Sequence, residues 1–188
     1  MYKRQIDTCA CPAGKYSGSD GATACVNCDP GYFTGSTGQT DCTVQAAAGK
    51  YACDTSTDSD GTGIADGASF QCACPAGKFT ASAGATACEN CASGYYQTST
   101  DTTECVQVQG GYRAVDGTNA DTNSGAVAEE ICPQSYYSLA GATTCIACDS
   151  DKDALAGATI CYAPTSAPSS QPTSLPSAQP SMQPTSIP

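Results

Sequence analysis

Cysteines set the pattern of apolar and polar positions along this chain. Between two paired cysteines, an aromatic residue stands five positions after the first, a polar run of Ser, Gly and Asp follows, and a Thr stands two positions before the second. Aromatic residues and Thr favour short strands, whereas Gly, Ser and Asp favour turns. Each loop is therefore predicted to be a hairpin with a cysteine at either end.

Six loops carry this pattern. The aromatic residue is Tyr16, Phe33, Phe79, Tyr96 and Tyr137 in five loops, with Asp153 in the sixth. The Thr is Thr23, Thr40, Thr86, Thr103, Thr143 and Thr159. A Gly, which permits a positive φ angle in a tight turn, stands four residues before the closing cysteine: Gly21, Gly38, Gly84, Gly141 and Gly157, with Asp101 as the exception.

The loops also form a longer repeat. Residues 9–42 match residues 72–105 with every cysteine offset by 63, and a shorter third copy covers 132–161. Matching this dense indicates an internal repeat. The predicted organisation is one repeat over 1–42, an acidic linker over 43–71, a second repeat over 72–105, an acidic linker over 106–131, a shortened third repeat over 132–162 and a disordered tail over 163–188.

Composition explains why cysteines dominate the pattern. Leu, Ile, Val and Phe together supply only 18 of 188 residues, and Trp is absent. A chain this poor in large apolar residues cannot build an ordinary core, and its 15 cysteines are typical of disulfide-rich scaffolds. The predicted fold class is a small disulfide-rich protein of short β-hairpins and loops, arranged as elongated tandem modules. Such proteins occupy oxidising compartments, so the expected location is extracellular or at the cell surface.

Nearest-neighbour closure is the natural disulfide pairing, because each loop has one cysteine at either end. It gives Cys11–Cys25, Cys28–Cys42, Cys74–Cys88, Cys91–Cys105, Cys132–Cys145 and Cys148–Cys161. The alternative interlaces each four-cysteine copy, first to third and second to fourth. Cys53 and Cys72 have no counterpart cysteines in the next interval, so their joint loss predicts a Cys53–Cys72 bond.

This scheme leaves Cys9 unpaired. Cys9 corresponds to Cys72 at the offset of 63, so its mate is expected 63 residues before Cys53, upstream of the first residue of this chain. The odd cysteine count and the lack of an apolar signal segment in "MYKRQIDT" agree with a fragment of a longer protein, cut inside a repeat. An exposed Cys9 thiol is then expected to dimerise the fragment.

The string "CPAGKYSGSDGATACVNC" resembles the tyrosine-protein kinase ephrin type A/B receptor-like repeat. This extracellular cysteine-rich module is similar in style to those of growth-factor and tumour-necrosis-factor receptors. The third copy departs from it, with Ser135 in place of Gly. The resemblance implies a string of modules that act as spacers and protein-binding surfaces. No kinase motif accompanies it.

Several kinds of chemistry find no support in the sequence. His is absent, which removes Ser-His-Asp and Cys-His catalysis, so the chain is not expected to be an enzyme. The Cys-x-x-Cys pairs lack the second facing knuckle that zinc needs. The net charge of −11 argues against nucleic acid as a partner. Membrane contact is expected only through parts of the parent protein outside this chain.

One acidic stretch is a candidate calcium loop, although no other cofactor is expected. In "DTSTDSDGTGIADG", Asp58, Asp60, Thr62 and Asp66 resemble the calcium ligands of thrombospondin type 3 repeats, since Ca²⁺ favours several oxygens on a tight loop. A weaker counterpart 63 residues on is formed by Asp121, Asn123 and Glu129. The alternative is a solvated acidic linker.

The tail and the overall function complete the prediction. Pro recurs every fourth residue from Pro164 to Pro188, which predicts an extended polyproline-II stalk of roughly 75 Å. Its Ser and Thr suit O-glycosylation, and it resembles the tails of algal surface proteins. The sequence favours a non-catalytic structural, adhesive or protein-binding segment whose partners are extracellular proteins or glycans. A receptor ectodomain, or the spacer of a larger secreted enzyme, stays open as an alternative.

Overall fold

The fold consists of short antiparallel hairpins in tandem. The computed structural model describes residues 10–19, 22–54, 59–64 and 66–163. Within these ranges no helix could cross a bilayer, and the regular structure is seven two-stranded antiparallel sheets. Four features named in the sequence analysis lie outside the described residues: Cys9, Gly21, Asp58 and the tail from Pro164.

The strands are short, and each pairs with a near neighbour in the chain. In chain order they are β1 (Lys15–Tyr16), β2 (Val26–Asn27), β3 (Tyr32–Phe33), β4 (Val44–Gln45), β5 (Lys50–Cys53), β6 (Phe70–Ala73), β7 (Lys78–Phe79), β8 (Glu89–Asn90), β9 (Tyr95–Tyr96), β10 (Val106–Gln107), β11 (Tyr112–Val115), β12 (Ala128–Ile131), β13 (Tyr136–Tyr137) and β14 (Ile146–Ala147). Each odd-numbered strand pairs with the strand that follows it.

The second strand of each hairpin does not contain the Thr that the sequence pattern assigns to it. In the first hairpin Tyr16 pairs with Val26, which comes directly after Cys25, and Thr23 lies outside both strands. The aromatic position of the first strand is therefore as predicted, but its partner lies further along the chain. The other edge of Tyr16 forms a parallel bridge to Gln39 of the next hairpin, so the strand is paired on both sides.

Seven disulfides are present in the described part of the chain. They are Cys11–Cys25, Cys28–Cys42, Cys53–Cys72, Cys74–Cys88, Cys91–Cys105, Cys132–Cys145 and Cys148–Cys161. Six are the pairs that nearest-neighbour closure gives, Cys53–Cys72 is the pair predicted from the joint loss of both cysteines, and the interlaced alternative is wrong. Seven disulfides indicate an oxidising, extracellular or secreted environment.

The two predicted acidic linkers contain hairpins of their own. Within 43–71, Ala46 is fully buried where a neighbouring hairpin has its opening cysteine, and Lys50 and Tyr51 of β5 pair with β6 as Lys15 and Tyr16 pair with β2. Val108 is equally buried at the start of the hairpin within 106–131. These stretches are therefore modules whose opening cysteine is replaced by Ala or Val, rather than linkers.

Eight modules follow one another in the described residues. Modules 1 to 8 cover 11–27, 28–45, 46–73, 74–90, 91–107, 108–131, 132–147 and 148–162. The offset of 63 residues corresponds to three modules. Two of the three begin with a cysteine, and the third begins with Ala or Val. A module this small buries little by itself, so its stability depends on its neighbours.

Two backbone hydrogen bonds join every module to the next. We call the first bond the opener rung. In it, the carbonyl of a module's first residue accepts a hydrogen bond from an amide of the next module. This amide stands four residues before the closing cysteine of that module, or before the residue that takes its place. The acceptors Cys11, Cys28, Ala46, Cys74, Cys91, Val108 and Cys132 bind the amides of Gly38, Gly67, Gly84, Asp101, Gly125, Gly141 and Gly157, over 2.7–3.0 Å.

The second bond, the strand rung, starts one residue after the aromatic position. The amides of Ser17, Thr34, Ala52, Thr80, Gln97, Ala114 and Ser138 donate to the carbonyls of Gln39, Ala68, Ala85, Thr102, Ala126, Ala142 and Ala158, over 2.9–3.3 Å. Both rungs occur at all seven junctions between the eight modules. They continue through modules 3 and 6, so the eight modules form one hydrogen-bonded stack.

Each module also touches the module two places on. Gly31 of module 2 lies against the backbone carbonyl of Gly84 in module 4, and has a φ of 82°. The opener-rung donor keeps a positive φ even where it is not Gly, as at Asp101 with 62°. Ser135 of module 7 has a φ of 66° in the place of Gly31. Within the described residues no module lies two places beyond it, so its side chain meets no opposing carbonyl.

Candidate functional surfaces

The first candidate calcium loop packs onto module 4. Gly61 donates from its amide to the Tyr51 hydroxyl at 3.2 Å and accepts at its carbonyl from the Cys88 amide at 2.9 Å. Lys78 donates from Nζ to the backbone oxygen of Asp60 at 2.6 Å. A Cβ on Gly63 would lie 2.8 Å from the Tyr51 ring. The Gly-x-Gly spacing is thus explained by close packing around Tyr51, which is fully buried beside the Cys74–Cys88 disulfide.

The described acids of this loop do not converge on one point. Asp60 accepts through Oδ1 from both the amide and the hydroxyl of Thr62, at 2.7 and 2.6 Å. Asp66 instead accepts from Asn27 of module 1 at 3.1 Å. Among the described residues no group of three or more acidic, Cys or His side chains is placed to hold a metal ion. With Asp58 outside the described residues, calcium binding here stays a prediction, which a titration followed by the melting temperature would test.

The second candidate loop does not bring its acids together. Asp121 forms an ion pair with Arg113, which also binds Glu130 across the β11–β12 hairpin. Glu129 is the neighbour of Glu130 in β12, so its side chain points to the opposite face. Asn123 is exposed. A single ion cannot contact both Asp121 and Glu129 in this arrangement, so the structure does not support them as one ligand set.

The Arg113 cluster stands where the preceding repeat unit has a disulfide. Glu130 occupies the position of Cys72, and Val115, which is buried, occupies that of Cys53. Hydrogen bonding to Glu130, followed by Asp121, raises the pKa of Arg113, so the guanidinium is charged at every physiological pH. A charged cluster therefore replaces the covalent link inside module 6.

Gln71 and Glu129 each take the place of a closing cysteine. The Gln71 side-chain oxygen accepts from the Ala47 amide at 3.0 Å, and the Glu129 carboxylate accepts from the Gln109 amide at 2.9 Å. Both amides follow directly on the opening residue of their module. Side-chain hydrogen bonds thus close modules 3 and 6 where a disulfide closes the others, a role for Glu129 that the calcium hypothesis does not include.

Replacing Glu129 tests this closure. We expect Glu129→Ala to lower the free energy of unfolding by about 1 kcal/mol, because the Gln109 amide loses its acceptor. Glu129→Gln retains a side-chain oxygen, as Gln71 does in module 3, and should cost much less. Chemical denaturation of both variants with disulfides intact measures the difference. Equal losses in the two variants would show that the charge, and not the acceptor, matters.

The most exposed of the large apolar side chains lie in the last two modules. Leu139, Leu155 and Ile160 are each more than 60% exposed. An open groove of about 310 Å³ lies between modules 7 and 8, lined by Tyr137, Ile146 and Ile160, with the Asp149–Lys152 ion pair at its side. This groove therefore offers a partner both apolar side chains and a charged pair.

No protein-family model matches this chain, and no curated protein matches it either.

Proposed function

We propose that this chain is a non-catalytic extracellular spacer, a structural or adhesive segment of a larger cell-surface or matrix protein. The observation that carries the proposal is the continuous stack, in which two backbone rungs cross every junction and a disulfide or its side-chain substitute closes each module. Such a stack holds its shape with little apolar core. The resemblance to ephrin receptor-like repeats supports the same role.

Most of the chain between Cys11 and Cys161 lies inside a disulfide loop. Residues within a closed loop cannot be drawn out by a force on the chain ends, because the force passes through the sulfur–sulfur bond. A spacer built in this way resists stretching as well as proteolysis of its turns. The net charge of −11 favours solubility at high density.

Single-molecule stretching tests the spacer function. With disulfides intact, the chain should lengthen only by the residues outside its disulfide loops, after a force peak in which the rungs break. With a reductant present, the same chain should reach its full unfolded length. An oxidised chain that extends smoothly, with no force peak, would contradict a load-bearing stack and leave a flexible tether.

A receptor ectodomain is the second candidate, and the groove between modules 7 and 8 is the observation that favours it. Its Tyr137, Ile146 and Ile160 side chains and the adjacent ion pair would suit one segment of an extracellular protein, which can supply both apolar and charged groups. Duplicating one three-module unit separates the two functions. A spacer with one unit more should act over a longer distance, whereas ligand binding at a discrete groove should not change.

A further inference from the structure

Module 8 differs from the other seven at the strand rung. In every preceding module, the amide one residue after the aromatic position donates to the next module. In module 8 this amide belongs to Ala154, which is fully buried, and it donates at 2.8 Å to Oδ1 of Asp153. Asp153 stands where six of the other seven modules have Tyr or Phe and module 6 has Arg113.

The Asp153 carboxylate has further partners that fix it there. Ser135 donates from its hydroxyl to Oδ1 at 2.7 Å, and Gln134 donates to Oδ2 at 3.3 Å. Both donors belong to module 7. Hydrogen bonding from Ser135, then from the Ala154 amide and from Gln134, lowers the pKa of Asp153 below its usual range, so the carboxylate is charged at neutral pH.

The backbone on the other side of Asp153 is also occupied. Its amide and carbonyl both bond to Tyr162, each at 2.9 Å. An aromatic side chain in this place has no acceptor atom for the Ala154 amide, which would then be a buried donor without a partner. Unpaired donors along a strand edge are what a second chain pairs with, and terminal repeats of stacked proteins accordingly differ from internal ones.

We propose that Asp153 caps the module stack, because its carboxylate binds the strand-rung amide of module 8 and so closes that edge to pairing with a second copy of the chain. The cap thus keeps a second copy of the chain from binding to module 8 through the strand rung, the bond that joins neighbouring modules within one chain. This goes beyond the spacer function, since it explains how a repeating stack of this kind stays a single molecule rather than adding end to end.

Three substitutions test the cap. Asp153→Ala removes the acceptor, Asp153→Asn keeps an Oδ1 acceptor, and Asp151→Ala, an exposed neighbour, is the matched control with the same loss of charge. All variants carry Cys9→Ser so that an intermolecular disulfide cannot imitate association. Amide hydrogen exchange at Ala154 and sedimentation velocity over a range of protein concentrations are the measurements.

We expect exchange at Ala154 to be at least tenfold faster in Asp153→Ala than in the parent, together with concentration-dependent self-association. Asp153→Asn and Asp151→Ala should stay monomeric with a protected amide. A monomeric Asp153→Ala protein overturns the proposal even if its Ala154 amide exchanges faster. If Asp153→Ala fails to form its disulfides, Asp153→Tyr, which restores the residue of other modules, is read by the same two criteria.

Discussion

Gly31→Ala is expected to lower the free energy of unfolding by about 3 kcal/mol. The residue is buried, with a φ of 82°, and an added Cβ would lie 2.7 Å from the Gly84 carbonyl carbon and would overlap its oxygen. The methyl group therefore strains the backbone of module 2 and also forces module 4 away. Denaturant unfolding with all disulfides intact measures the loss.

Gly117→Ala is the matched control for this substitution. Gly117 is exposed, its φ is not positive, and a Cβ there meets no atom within 4 Å. We expect a change within about 0.5 kcal/mol. If Gly31→Ala were as mild as Gly117→Ala, modules 2 and 4 would not be in contact, and the packing between every second module would be wrong.

A new disulfide in module 3 should produce the second large effect. Ala46 and Gln71 stand where Cys11 and Cys25 stand in module 1. The double substitution Ala46→Cys/Gln71→Cys should therefore form a bond without rearrangement. The existing Cys53–Cys72 bond leaves only a short additional loop to close, and closing a short loop should raise the free energy of unfolding by about 3 kcal/mol.

The matched control for the new bond is Ala47→Cys/Gln71→Cys. Ala47 is exposed, whereas its neighbour Ala46 is fully buried in the module interior. Peptide mapping without reductant should find residues 46 and 71 joined in the first variant and free thiols in the control. Efficient bonding in the control, or its failure in the first variant, would contradict the assignment of residues 46–73 as a module.

The disulfide scheme could be predicted from the sequence because it depends on local spacing. Each loop has one cysteine at either end, and the paired loss of Cys53 and Cys72 marks them as partners. The positive φ four residues before a closing cysteine could be predicted for the same reason, since Gly fills that place in most loops.

Modules 3 and 6 cannot be predicted from a pattern that requires a cysteine at either end of a module. The signal was present, since "AGKY" at residues 13–16 recurs at 48–51. What closes these modules is a hydrogen bond from a side chain to a backbone amide, and neither Gln71 nor Glu129 identifies its partner by residue type. The rungs between modules involve only backbone atoms, so no side-chain pattern could reveal them.

The acidic loops show why composition alone is a weak guide to a metal site. Asp60 and Thr62 satisfy each other, Asp66 turns to Asn27, and Asp121 pairs with Arg113. Each of these acids therefore has a hydrogen-bond or ion-pair partner within the protein. The Gly-x-Gly spacing at Gly61 and Gly63 resembles part of a calcium loop. The same spacing is required for the loop to pack against Tyr51 and the next module.

The central claim is that modules 3 and 6 carry the stack without interruption, and hydrogen exchange at the opener rungs tests it most directly. The amides of Gly84 and Gly141, which bind the carbonyls of Ala46 and Val108, should be protected to the same extent as those of Gly38 and Gly157, which bind cysteine carbonyls. Exchange at the rate of an open chain at Gly84 and Gly141, with protection kept at Gly38 and Gly157, would show that residues 43–71 and 106–131 are linkers after all.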